Sequence, residues 1–421
     1  MSIKRSDIEI MAPAGTWEAL RAAIQGGADS VYFGVEKLNM RARSSHNFTT
    51  ANLPEIVNLC KQHGLKSYLT LNIVVYDEEI RELQEVLAAA AAAGITAVIA
   101  TDQAAIMAAR EAGLEVHLST QLNISNAGSL KFYSRWAEVA VLSRELNLQQ
   151  VKVIHDAIIR DDIRGPRGEH MKLEMFVHGA LCMAISGKCY LSLHEYNASA
   201  NRGNCYQTCR RRYTVSDRET GYELDIDNQY IMSPKDLCTI PFLDQIIDAG
   251  ARVLKIEGRA RPPEYVKTVT RCYGEAAGAI ADGTFGQEKV EGWMRQLETV
   301  FNRGFWDGYY LGQKLGEWTT TYGSAATKRK IYLGKVTNYF SKAGVAEIKL
   351  ETGDLSSGDE LVITGPTTGI VELTVGELRD TSENEAVTVQ KGELCSVKIG
   401  ETVRRSDKVF RWVEASSLKK D

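Results

Sequence analysis

The chain has 421 residues, with 50 Lys+Arg against 54 Asp+Glu, a net charge of -4, and 44% hydrophobic and 25% charged residues. This composition excludes a disordered chain and a wholly basic, histone-like protein, and the length calls for two or three domains. It leaves room for a local basic patch.

The opening residues 1–15, MSIKRSDIEIMAPAG, are interrupted by Asp7 and Glu9 and do not read as a secretory leader. The most apolar run, 86–100, is too short to span a membrane. A cytoplasmic protein with no membrane contact is expected. Short apolar runs then alternate with helical patterns. IEIMAPAG (8–15) reads as a strand with a helix over 16–25, and SVYFGV (30–35) precedes a helix near 52–63. KSYLTLNIVV (66–75) precedes one near 78–93, and AVIATD (97–102) one over 103–112. VHLSTQLN (116–123) and EVAVLSREL (138–146) precede helices over 126–136 and 148–160. KLEMFVHG (172–179) is a seventh strand. RVLKIEGR (252–259) is an eighth, and Pro262-Pro263 opens a helix running to about Ile280.

Eight near-continuous apolar strands alternating with helices predict an α/β fold, a parallel (β/α)8 TIM-like barrel. An open doubly wound sheet is the alternative, disfavoured because neither GxGxxG nor GxxxxGK[ST] is present. The barrel is expected over 1–284, interrupted by an insertion over 180–251 that precedes the last strand. Such an insertion would sit at the C-terminal ends of the strands, where active sites collect. A helical connector is expected over 285–327, with its helix near 285–303. Short β runs separated by Gly, Asp and Asn predict a small all-β, barrel-like domain over 328–421.

Of eight cysteines, four follow the spacing C-x6-C-x15-C-x3-C: Cys182, Cys189, Cys205 and Cys209. In a reducing compartment such a group points to metal or redox chemistry rather than disulfides. On spacing alone, tetrahedral zinc and an iron–sulfur cluster are equally good readings, and four ordinary buried thiols are a third. Cys238 is a possible substitute for one of the four. Cys60, Cys272 and Cys395 read as core. The same segment holds Lys188, Arg202, Arg210, Arg211 and Arg212 against one acid, Glu195, with Tyr190, Tyr196, Tyr206 and Tyr213 interleaved. Cations for phosphates and aromatics for an unstacked base suit single-stranded RNA, while the same arginines would also neutralise a cluster.

These residues carry a resemblance. EMFVHGALCMAISGKCYLS (174–192) is similar to the signature of the peptidase U32 family, through Glu174, Phe176, Gly179, Ala180, Leu181, Cys182, Gly187, Cys189, Leu191 and Ser192. NRGNCYQTCRRRY (201–213), KIEGR (255–259), MAPAGTWEAL and GGADSVYFG also resemble family blocks. The resemblance implies iron–sulfur proteins that hydroxylate RNA bases or quinone precursors, alongside members described as collagenases. The length and single β domain resemble the tRNA branch, which implies a hydroxylase making 5-hydroxyuridine at the wobble position of tRNA, with prephenate as co-reactant. It also implies a [4Fe-4S] cluster on Cys182, Cys189, Cys205 and Cys209, with zinc as the alternative. A U32-type peptidase and a non-catalytic RNA-binding iron–sulfur protein are the other readings. Against the peptidase stands the lack of HExxH and GxSxG, and a thiolate held by iron is not free to attack a peptide.

Polar groups at the strand ends complete the expected site. Asn72, Gln121, Asn123 and Arg144 would bind substrate, as would Arg202, Arg210, Arg211 and Arg212. Arg41 and Arg43 after the second strand, and Arg259 and Arg261 after the eighth, would hold a small carboxylate. His178, Glu257 and Arg259 are the candidates for the chemistry itself. His178 reads equally as a proton shuttle or a structural imidazole, and Glu257 as a base or a salt-bridged barrel residue.

Overall fold

The structure, a computed structural model, describes residues 3–43, 48–214, 218–220, 232–312, 316–321 and 323–417. Parts of the expected insertion (215–217, 221–231) and connector (313–315, 322), and the last four residues of the tail, lie outside the described residues.

Seven strands come first: β1 (Glu9–Pro13), β2 (Ser30–Phe33), β3 (Lys66–Leu71), β4 (Ala97–Ala100), β5 (Glu115–Leu118), β6 (Val139–Val141) and β7 (Lys172–Ala180). β8 (Asp236–Cys238) and β9 (Ala251–Ile256) follow. β1 to β7 pair in parallel, each with the next. β9 then pairs in parallel with both β7 and β1. The eight strands close into a barrel, as the alternation of apolar runs predicts.

The helices are α1 (Trp17–Gln25), α2 (Leu53–Gln62), α3 (Ile80–Ala93), α4 (Gln103–Glu111), α5 (Ala127–Tyr133), α6 (Leu148–Arg160), α7 (Leu191–Tyr196), α8 (Leu243–Asp248), α9 (Pro263–Ala281) and α10 (Gln287–Thr299). Their starts are written locally. The side chains of Thr16, Asp102, Asn126 and Asn147 each accept a hydrogen bond from a first-turn backbone N–H. Pro262 and Pro263 preset the first turn of α9. The period-2 alternation of the strands divides their side chains. Ile10, Val31, Leu69 and Val98 face the helical shell. Met11, Tyr32, Tyr68, Ile99, Val139 and Val253 form a separate small cluster inside the barrel.

The described part of the insertion carries regular elements. It contains α7, then β8, which runs antiparallel to β7, then α8, which supplies the crossover to β9. Among the described residues the connector is helical only through α10. It continues as β10 (Phe305–Trp306), parallel to β8, so that insertion and connector build one small extension of the barrel sheet.

The tail holds β11 (Lys328–Phe340), β12 (Val345–Leu350), β13 (Leu355–Ser356), β14 (Glu360–Gly365), β15 (Gly369–Thr374), β16 (Leu378–Arg379), β17 (Thr388–Val389), β18 (Leu394–Lys398) and β19 (Lys408–Glu414). Seven of them form one antiparallel sheet, in the order β15-β14-β19-β11-β12-β18-β16, and β13 pairs with β17. Among the described residues no ladder joins β15 to β16. β15 is instead occupied by the barrel: the Ile370 N–H donates to Gln25 Oε1 of α1 at 3.1 Å, and Gln25 Nε2 donates to the Thr368 carbonyl at 3.2 Å. Leu333, Ile348, Leu361, Ile363 and Val409 form a core of the tail's own.

Candidate functional site

At the C-terminal ends of the barrel strands lies a cavity of about 220 Å³. Its walls come from the strand ends below and the insertion above. All four cysteines of the spaced quartet line it: Cys182, Cys189, Cys205 and Cys209. Cys182 is exposed and the other three are half-buried, whereas Cys60, Cys238, Cys272 and Cys395 are buried. Burial raises Cys209, Arg210 opposes this, and Cys182, Cys205 and Cys189 add to the rise. Among the described residues no three His, Cys, Asp or Glu side chains converge closely enough to hold a single metal ion. Cys238 does not substitute for a member of the quartet. Its Sγ packs 3.7 Å from Met294 Sδ, and burial pushes its thiol up to about 12.

Around the thiols stands a group of cations. Arg41, Arg144, Arg210, Lys255, Arg259, Arg261 and Arg303 all line the cavity, with Glu257 as the acid among them. Arg41 Nη2 lies 2.6 Å from Glu257 Oε1. Burial pushes the Glu257 carboxyl up, but Arg41, Arg261 and Arg144 outweigh it and hold the group down at about 2. The geometry is that of a salt-bridged barrel residue. Glu257 in turn raises Arg41, against the pull of burial, and Cys182 and Cys205 add to the rise. Arg259 is buried, and its Nη1 donates to Asn39 Oδ1 at 3.0 Å and Thr70 Oγ1 at 2.8 Å. Burial lowers it to about 10. Arg144 lies 3.8 Å over the Phe176 ring and donates to the Ala180 carbonyl, and its buried Nε has no hydrogen-bond partner. Asn72 and Gln121 also line the cavity, 3.5 Å apart through Nδ2 and Oε1.

Other expected site residues lie elsewhere. His178 does not line the cavity. Strict alternation along β7 would place it on the same face as Glu174 and Phe176, but the β7–β9 register shifts between Phe176 and His178. The imidazole is thereby turned onto Tyr265, Tyr273 and Phe305, fully buried, and burial with nearby Arg261 lowers it to about 3. It is a buried imidazole packed among aromatic rings, away from the cavity lining. Arg202 is taken up by Glu79, with Nη1 and Nη2 at 2.9 and 2.6 Å, and stacks 3.7 Å over Tyr76. Asn123, at φ 52, donates to the Gln121 and Ser186 carbonyls and props the insertion from below. Arg210 lines the cavity, yet its guanidinium is spent on Ser233 Oγ and on the Pro234 and Leu181 carbonyls. Arg43, Arg211 and Arg212 are outside the cavity, on the insertion's outer rim. There Arg43 lies 3.5 Å over Tyr206, Tyr206 stacks on Tyr196 at 4.5 Å, and Arg211 pairs with Glu195.

A model of peptidase family U32 matches residues 15–320. The chain belongs to that family. A collagenase of Porphyromonas gingivalis is 61% identical over 97% of this chain and 98% of its own length. An uncharacterized protease of Methanocaldococcus jannaschii is 38% identical over 96% and 98%. The tRNA hydroxylation protein P1 of Bacillus subtilis is 30% identical over 90% and 88%.

In this U32 protein the sequence reading missed Arg303, Lys255 and Tyr32 as cavity residues. Arg303 is far away in sequence and is held at the cavity by Asp236 of the insertion at 3.2 Å. Lys255 and Tyr32 were legible in principle, because inward positions of barrel strands next to a known rim residue share its face.

Proposed function

We propose that this U32 protein hydroxylates C5 of the wobble uridine in tRNA, with a [4Fe-4S] cluster on Cys182, Cys189, Cys205 and Cys209 and prephenate as co-reactant. The observation that carries the reading is the shared cavity: four thiols and seven cations face one small chamber at the catalytic end of a barrel. The four thiols lie on that one chamber beside its cations, as a cluster of net negative charge needs. When bound, such a cluster supplies one-electron redox or Lewis-acid chemistry.

The chain's own residues do the rest. Arg144, Arg259 and Arg261 offer charge-assisted donors to a small dicarboxylate, and the unpartnered Arg144 Nε is a donor already desolvated for that task. Glu257 keeps Arg41 in place beside Cys182 and Cys205. Outside, Arg43, Lys188, Arg211 and Arg212 serve RNA phosphates, and Tyr190, 60% exposed, offers a face to a base. Relatives named for tRNA hydroxylation at about 30% identity support the reading. The more similar relative named collagenase favours a second reading, a peptidase.

One experiment separates them. Nucleosides of total tRNA from a deletion strain are measured by mass spectrometry, with complementation by wild type and by Cys205→Ser. The hydroxylase reading expects 5-hydroxyuridine derivatives to vanish on deletion, return with wild type and stay absent with Cys205→Ser. Unchanged nucleosides together with collagen cleavage by the purified protein would establish the peptidase.

A further inference from the structure

Below the cavity the barrel interior is not a plain apolar plug. Lys255 of β9 reaches the cavity floor, and its Nζ donates to Glu174 Oε1 of β7 at 2.6 Å. Glu174 is wholly buried. Its second oxygen accepts no hydrogen bond and faces His117 Nδ1 of β5 at 3.6 Å, an ion-pair distance too long for a hydrogen bond. His117 Nδ1 is equally unpartnered. Its Nε2 lies 3.3 Å from Glu115 Oε1, and Glu115 Oε2 lies 2.6 Å from Arg167, which is exposed at the opposite mouth of the barrel.

The surroundings are defined on every side. Tyr32 of β2 faces Lys255, as do Arg144 and Arg259. Tyr68 of β3 packs its ring 4.5 Å from the His117 ring and donates to Glu9 of β1. Glu138, held by Arg110, stands near Glu115. Burial pulls Lys255 below the ordinary lysine range, and Glu174 opposes that pull. Burial also works against charge on His117, but Glu115 and Glu174 raise it overall. A barrel interior is amply served by branched apolar side chains, and buried charges carry a large desolvation cost. A continuous line of titratable groups from cavity floor to bulk water therefore calls for a role.

We infer that Lys255 is an acid–base group of the cavity floor, and that Glu174, His117 and Glu115 return its proton from the opposite mouth of the barrel. The balance is one proton and no electrons. Lys255 Nζ gives a proton to the reacting molecule and becomes a neutral amine. Glu174 takes the Nδ1 proton of the His117 imidazolium on the oxygen that faces it and, by turning its carboxyl over, delivers that proton to Lys255. His117 is left neutral with Nε2 still protonated, and once its ring turns over it regains a proton at the bare nitrogen from water at the far mouth, by way of Glu115. Small rotations of Glu174 and His117 bring the 3.6 Å pair into hydrogen-bond range. The catalytic part of this inference rests on the reading of the cavity as a hydroxylase site, whereas the coupling of the buried groups does not.

Two measurements on the full chain test it. In protein labelled with 15N at lysine Nζ, the Lys255 signal is assigned through Lys255→Met and its titration midpoint is followed in wild type, Glu174→Gln and His117→Phe, with His117→Asn replacing the last if it does not fold. The relay expects a midpoint lowered by about one pH unit in Glu174→Gln and displaced by about half a unit in the His117 variant. A midpoint indifferent to His117 overturns the relay. In the second measurement Lys255→Arg keeps the charge but cannot give up its proton. Hydroxylated uridine falling to about a tenth of wild type or less supports the acid–base role. Full product with Lys255→Arg reduces Lys255 to a fixed charge and overturns it. If wild type itself makes no hydroxylated uridine, the hydroxylase reading falls, and the titration still decides the coupling.

Discussion

Glu257 sits where two demands meet: burial disfavours its charge, and three arginines insist on it. Its carboxyl is depressed in the folded protein relative to an unfolded value of about 4.3. A depressed carboxylate contributes stability that is fully present above the unfolded value and is lost as pH falls toward the folded one. Glu257→Gln removes the carboxylate beside Arg41 in a largely buried setting, and breaking such a pair costs about 3 kcal/mol. Denaturant titrations should therefore show wild type well above the variant at pH 7, with the gap closing between about pH 4.3 and 2. A gap that does not respond to pH would show that Glu257 acts through packing and not through charge.

Elements decide where the cysteines meet. Ties between the insertion and the strand-end loops include Arg202 to Glu79, the Val74 N–H to the Asn201 carbonyl, the Arg43 N–H to the Gly203 carbonyl, and Asn123 to the Ser186 carbonyl. Gly179, at φ 105 near the end of β7, lies so close to its neighbour that an added Cβ would be 2.7 Å from the Glu257 carbonyl oxygen. The left-handed bend there sends the chain up over the cavity toward Cys182. Because Arg202 is a bracket between the insertion and the loop before α3, Arg202→Ala should loosen the insertion without unfolding the barrel. Limited proteolysis is expected to cut within 183–214 at least about ten times faster, with the melting temperature moved by only a few degrees. Equal proteolysis rates would mean that the remaining ties suffice.

For the whole molecule the question is how tail and barrel share stability. Each has its own core, and they meet where β15 lies along α1. Polar ties secure that seam: Arg21 Nε to the Pro366 carbonyl at 2.7 Å, the reciprocal Gln25 bonds, and the ion pairs Lys267–Glu372 and Lys330–Glu264. At roughly 1 kcal/mol for each hydrogen bond, removing Arg21 and Gln25 together weakens the coupling by a few kcal/mol. Wild type is expected to unfold in one calorimetric transition and Arg21→Ala/Gln25→Ala in two. A single transition in both would mean that apolar contact along the seam does the coupling.

By itself the sequence determined the barrel, the order of its strands, the place of the insertion and the all-β character of the tail. Those follow from local periodicity, caps and proline positions, which neighbouring residues set among themselves. It also named the cysteine quartet, because four thiols within one short excursion are conspicuous whatever their geometry. The tertiary structure alone decided which polar groups share the cavity. A register shift in β7 turned His178 away, Glu79 claimed Arg202, and Asp236 brought in Arg303 from beyond α10. The relay from Lys255 through Glu174 to His117 likewise joins three strands distant in sequence. Such pairings depend on partners far along the chain and on one-residue shifts in register, and neither leaves a mark in local composition.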